Sequence, residues 1–105
     1  MTNRLSKLSE KDALIKRELY RKVTADYFSE IRARKGVIQL DLQTKTAIQQ
    51  SSISKIEHGY SLIDIDVFTR LCKGLDIDPY QTLREINSKV ERSFKSEKRK
   101  AKRTI

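Results

Sequence analysis

Gln50, Ser51, Ser52 and Lys55 are the residues whose types and spacing could do chemistry. They lie near the start of a short stretch in which Ile53 and Ile56 take the inward side of a helix. The four therefore form a polar outer face. Their chemistry is hydrogen bonding, not bond breaking. A Gln amide can pair bidentately with adenine N6 and N7, and a Lys ammonium can donate to guanine O6 and N7. Each good bidentate contact discriminates by about 1–3 kcal/mol. The plainer reading is a solvated helix face, because Gln and Ser are common on surfaces.

Other reactive types are present but not arranged for catalysis. Cys72 is the sole cysteine and His58 the sole histidine, which excludes a disulfide framework and a Cys/His metal cluster. Cys72 falls on an inward helix face and reads as a buried, inert thiol. His58 reads as a helix-end residue. Asp64/Asp66 and Asp76/Asp78 resemble carboxylate pairs, but they stand at helix starts, where capping and dipole interactions are expected. No nucleophile–base set and no phosphate-cradling Gly loop appears, so no enzyme activity and no cofactor or metal are expected.

The elements that must position the polar face are helical. Ser9-Glu10-Lys11-Asp12 resembles a capping box with Ser9 as N-cap. From there Ile15, Leu19, Val23, Tyr27 and Ile31 recur every four residues, an apolar stripe down one helix or two in line. Thr24 can cap a new helix, so a break is placed at 22–24. Gly36 suits the C-cap, with Arg32, Arg34 and Lys35 complementing the dipole. A short helix follows from about Gln39 to Thr46, with Leu42 inward. Ile48 pins the turn, and a second short helix runs from Gln50 to His58, ended by Gly59. Residues 60–63 read as a loop. Asp64 caps a helix with Ile65, Phe68, Leu71, Cys72 and Leu75 on one face. Asp78 and Pro79 start the last helix. Its stripe of Leu83, Ile86, Val90 and Phe94 continues about two turns past the compact domain. Residues 95–103 form a charge run with no apolar face, expected to be disordered without a partner. No strand-like alternation appears.

Residues 36–59 resemble the phage-repressor-like (XRE or Cro-like) helix-turn-helix family. The shared features are Gly36, Gln39, Leu42, Ile53, Ile56, Glu57 and Gly59 at the family's spacing, with RLCKGLDI resembling its fourth helix. The resemblance covers roughly residues 24–84. It implies an all-α, five-helix phage-repressor-like domain, here with an extra N-terminal helix and an extended basic C-terminal helix or tail. The expected divisions are 1–23, a basic helical extension; 24–87, the helix-turn-helix domain; and 88–105, a basic extension. The resemblance also implies that Gln49, Gln50, Ser51 and Lys55 face base edges. Gln39 and Ser52 would meet phosphate; apart from the resemblance, Tyr60 is a further phosphate candidate. Arg32 and Glu57 would form a structural ion pair tying the first helix to the third.

Three positions depart from that pattern. Gln43 stands where a small residue lets two helices cross closely. Ala47 occupies a turn position where Gly tolerates positive φ, at a cost of about 1–2 kcal/mol. Ile38 replaces the Ser or Thr N-cap. The loop after Gly59 is Tyr-Ser-Leu-Ile where relatives are often basic, so Leu62 and Ile63 are expected to be buried or to touch another protomer.

The chain of 105 residues fits one domain with a small core of mostly Ile, Leu and Val. It has neither a membrane-spanning run nor an apolar leader. A soluble protein of the bacterial cytosol or nucleoid is expected. Net charge is +9, and it lies on the flanks. Residues 1–22 carry seven Lys/Arg against three acids, and residues 88–105 carry eight against two. Residues 23–87 carry eight against nine. Such flanks usually track phosphate, although solubilising tails have the same composition. Lys98, Arg99, Lys100, Lys102 and Arg103 lead the phosphate candidates, followed by Arg4 and Lys7.

The expected function is a sequence-specific double-stranded-DNA-binding transcriptional regulator, a repressor of bacterial, phage or mobile-element genes. It would act as a homodimer on a palindromic site, with room for a regulatory protein partner. Leu62, Ile63, Leu83, Ile86, Val90 and Phe94 are the candidate dimer surface. The alternative for the C-terminal stripe is packing within the chain against Ile15 and Leu19. The rival functions are a protein-interaction adaptor and an RNA-binding module on the same fold.

Overall fold

The computed structural model describes residues 8–103. Arg4 and Lys7 therefore lie outside the described residues, as does the side chain of Arg103. Five helices follow in order: α1 Glu10–Arg34, α2 Gln39–Thr46, α3 Gln50–Glu57, α4 Ile65–Gly74 and α5 Pro79–Arg103. No strand occurs among the described residues.

The caps legible in the sequence are in place. Ser9 Oγ accepts from the Asp12 amide at 3.0 Å. Asp64 Oδ1 accepts from Val67 at 2.8 Å, and Asp78 Oδ1 from Tyr80 at 3.0 Å. Gly36 and Gly59 end α1 and α3 with φ of 70° and 75°. Beyond each, a backbone amide reaches back five residues, Val37 to Arg32 O and Tyr60 to Lys55 O, which satisfies an orphan carbonyl.

Two boundaries differ from expectation. The break at 22–24 is absent, and α1 runs unbroken through 25 residues. Thr24 could cap a helix, but Val23 and Tyr27 pack against the same core, so a continuous helix keeps both in register. Residues 95–103 are helical, not disordered. They extend α5 alongside the N-terminal half of α1, where Lys98 Nζ lies 3.1 Å from Asp12 and Lys16 Nζ 2.9 Å from Glu91. Tyr20 also donates to Asn87. The divisions expected near residues 23 and 87 thus fall inside continuous helices.

The core is centred on Phe28, Leu42, Ile53, Leu71, Leu75, Ile86 and Val90, each at most 2% exposed. Phe28 lies beside the expected α1 stripe and meets Phe68 edge-on, with centroids 5.7 Å apart. A close helix crossing lies between α2 and α4, where a Cβ on Gly74 would sit 2.5 Å from Thr46 Cγ2. Cys72 is fully buried, and burial pushes its thiol up to about 11.

Candidate nucleic-acid interface

The α2–turn–α3 unit is held by backbone and side-chain contacts that the three departures alter. Ile38 offers α2 no side-chain cap, so the first amides of α2 have no side-chain acceptor. Ala47 adopts the left-handed conformation at φ 59° and ψ 27°. The chain keeps the turn geometry that Gly would give and carries the strain of a Cβ there. Ile48 is buried beneath the turn, and its amide donates to Thr46 Oγ1 at 3.2 Å.

Gln43 has a different role from the one expected. Gln49, the N-cap residue of α3, makes no side-chain cap. Instead, Gln43 Oε1 accepts from the Gln50 amide at 2.6 Å. The long side chain, half-buried on α2, replaces the missing cap on α3. A small residue could not reach.

The structural pair is bidentate. Arg32 Nε and Nη2 donate to the two Glu57 oxygens at 2.6 and 2.9 Å. Arg32 Nη1 also donates to Val37 O at 2.8 Å. Glu57 is 6% exposed and Arg32 19%. Hydrogen bonding to Glu57 holds the Arg32 guanidinium above its ordinary pKa. Gln39 Nε2 donates to the same carboxylate at 3.0 Å, and Gln50 Nε2 reaches Gln39 Oε1 at 3.5 Å. A chain of contacts thus runs from α1 through Glu57 and Gln39 to the first side chain of α3. Gln39, the residue expected on phosphate, also stands between Glu57 and Gln50 in this structure.

Gln49, Gln50, Ser51, Ser52 and Lys55 are all exposed, while Ile53 and Ile56 are buried. α3 therefore presents a continuous face of amides, hydroxyls and one ammonium, with no carboxylate on it. At its end His58 Nδ1 lies 2.7 Å from Ser54 O. Tyr60, 73% exposed, stacks on the His58 ring with centroids 5.5 Å apart.

The remaining expected residues are divided by the fold. Ile86 and Val90 are 2% and 0% exposed, and Phe94 is half-buried with Lys16 Nζ 4.9 Å above its ring. Ile86 and Val90 thus give a second protomer no free surface, and Phe94 is partly covered within the chain; the intramolecular alternative holds for Ile86 and Val90. Ile63 packs on the core. Leu62 and Leu83 remain 45% and 54% exposed. Ile65, expected inward, is 84% exposed, and Tyr80 is 81% exposed. Both stand at the first turns of their helices, beyond the edge of the core, which periodicity alone does not reveal. Leu62, Ile65, Tyr80 and Leu83 surround one apolar cleft of about 440 Å³, floored by Tyr20 and Phe68. Lys98 is tied to Asp12, whereas Arg99 and Lys100 are exposed.

The helix-turn-helix family model HTH_3 matches residues 28–81. The chain belongs to this family. The HTH_3 segment begins within α1 and ends in the first turn of α5, so the outer half of the α1–α5 pair lies beyond it. Solved structures share the fold. The restriction-modification controller protein C.Esp1396I, in a tetramer on its natural 35-base-pair operator, is 22% identical with a TM-score of 0.62. That match covers 68% of this chain and 93% of the other. The controller protein C.AhdI from Aeromonas hydrophila is 22% identical, TM-score 0.56, over 59% of this chain and 94% of its own. The clp gene regulator ClgR from Corynebacterium glutamicum is 18% identical, TM-score 0.65, over 81% and 88%. No curated protein gives a significant sequence match. No metal-binding group of His, Cys, Asp and Glu occurs among the described residues. None of their helices is long and apolar enough to cross a membrane.

Proposed function

We propose that this HTH_3 protein is a sequence-specific double-stranded-DNA-binding transcriptional regulator, acting in the cytosol as a repressor. The observation that carries the reading is the outer face of α3. On it Gln49, Gln50, Ser51, Ser52 and Lys55 are all exposed, with no carboxylate among them and Ile53 and Ile56 buried behind. Such a row of amide, hydroxyl and ammonium groups suits the donor and acceptor pattern of base edges in the major groove. Gln50 would read adenine and Lys55 guanine, with Gln49 and Ser51 beside them. Ser52, Tyr60 and the uncapped amides of α2 would position the duplex through phosphate. Repression would follow from occupying a promoter and excluding polymerase.

A second copy would complete the regulator, because a palindromic site needs two recognition helices about 34 Å apart. The exposed rim of Leu62, Ile65, Tyr80 and Leu83 supports that copy's docking place. Those side chains expose on the order of 500 Å², against about 800 Å² per partner in a standard interface. Arg21 and Asp64 line the same cleft, so a two-fold copy can set acid against base around an apolar centre.

Selection of bound duplexes from a random pool at physiological salt tests the DNA reading. A palindromic motif with A·T pairs, lost on Gln50→Ala, is the expected result. Binding with no enriched motif would refute it and favour an adaptor or RNA-binding role. Sedimentation tests the dimer: Ile65→Asp with Leu83→Asp should shift a dimer to monomer, and an unshifted dimer would exclude this rim.

A further inference from the structure

We propose that α5 carries a second, sequence-independent DNA-backbone surface, facing away from α3, so that one molecule can hold two duplex segments. It goes beyond the recognition reading and shares with it only the choice of duplex DNA.

The helix contains three acids, each with a neighbour on α1, and two of them, Glu85 and Glu91, border the basic face about 20° outside its edges. Glu85 accepts from Tyr27, Glu91 pairs with Lys16, and Glu97 lines a hollow with Leu19 and Lys22 of α1. Two cations flank the same seam, Lys89 above the Tyr27 ring and Lys98 on Asp12. The outward side holds Arg84, Lys95, Arg99 and Lys102, with Arg92 at its edge, all exposed; Arg92 also lines a hollow with Lys22 and Asp26 of α1. At about 100° per residue they fall within roughly 80° of one another, opposite the buried Ile86 and Val90. The row spans about 27 Å at 1.5 Å per residue. None of the five makes an ion pair among the described residues; Arg92 reaches only Ser88 Oγ, at 3.4 Å. A row of unneutralised like charges is self-repelling and is stabilised when a polyanion covers it.

The chemistry of the row selects the polyanion. It contains no aromatic on which single-stranded bases could stack. It contains no apolar residue to enter a membrane, and Ile86 and Val90 on the opposite side of α5 are buried. A rigid line of cations with neither suits the phosphates of a duplex, which present one charge per about 1.7 Å.

The direction follows from α1. Its Ala25 and Arg32 face α3, while Lys16, Tyr20 and Tyr27 face α5. These two sets lie roughly 160° apart around the α1 axis. α1 therefore stands between α3 and α5, and the outward faces of the two look to opposite sides. A straight duplex seated on α3 would then not reach the row.

The test uses the full chain and 30-base-pair random-sequence duplexes. Protein saturated with bead-bound duplex is offered a second, fluorescent duplex at moderate salt. Wild type should capture it, and the variant Arg92→Gln/Lys95→Gln/Arg99→Gln/Lys102→Gln should capture at least tenfold less, with an unchanged urea midpoint. In a Gln50→Ala/Lys55→Ala background, single-duplex binding should remain. The same four substitutions should then flatten its log–log salt slope by about 3–4. Undiminished capture by the four-residue variant overturns the proposal. So does weakened binding of the first duplex with no second capture by wild type, which would put the row on the same duplex. Preference for phosphatidylserine vesicles or polyuridine over duplex overturns it as well. Intact capture without an enriched motif in the random pool would sink the recognition reading alone.

Discussion

Replacing Ala47 by Gly should stabilise the protein, and the structure sets the magnitude. Ala47 lies at φ 59° and ψ 27°, where a Cβ crowds the backbone by about 1–2 kcal/mol. The side chain is exposed, so Gly forfeits little packing. Its amide still donates to Gln43 O at 2.8 Å. Gly also frees the unfolded chain, which offsets about 0.4–1 kcal/mol. The net gain is about 0.5–1 kcal/mol, or roughly 3–6 °C in Tm for a domain of this size. Calorimetry on wild type and Ala47→Gly measures it, with Ala47→Val as the opposing control, because a β-branched residue fits that region worst. The selected DNA motif should stay the same. A Tm that is unchanged or lower in the Gly variant would refute the strain argument and the left-handed turn with it.

Gln43→Ala removes the acceptor for the Gln50 amide and should lower stability by about 1 kcal/mol in urea unfolding; an unmoved midpoint would show that water serves as well. Glu57→Ala leaves a partly buried guanidinium and should cost about 3 kcal/mol, whereas Glu57→Ala with Arg32→Met should cost clearly less. Equal losses for the single and double variants would rule out an uncompensated charge as the cause. Cys72 should resist iodoacetamide at pH 8 in the folded state and react once urea unfolds the chain. Its thiol titrates higher folded than unfolded, so its contribution is complete below about pH 8.5–9 and lost as pH rises toward 11. Rising stability across that window would contradict the assignment.

Much of this molecule was legible in one dimension because its signals are local. Ser9, Asp64 and Asp78 each bond an amide two or three residues on, and a helix cap needs nothing further away. The inward positions of Leu42, Ile53, Ile56, Leu71 and Cys72 follow from a period of 3.6 with no knowledge of the partner helix. Glu57 and Arg32 are 25 residues apart. Their pairing follows from the resemblance carried by the spacing of the surrounding motif, not from local chemistry.

The tertiary structure decided whatever depends on which helix approaches which. The stripe of Leu83, Ile86, Val90 and Phe94 has the same period whether it meets α1 or another protomer. The antiparallel seam with α1, closed by pairs such as Lys98 to Asp12 86 residues apart, buried Ile86 and Val90, half-covered Phe94 and left Leu83 exposed. Ile65 fits an inward pattern, but the core ends before its turn. Gln43 looked like a misfit because its partner amide lies across the turn, seven residues away. The sequence by itself determined the helices, their caps and the polar face of α3. Only the fold determined which side of each helix was left uncovered, because burial comes from contacts between elements and a helical period records just its own.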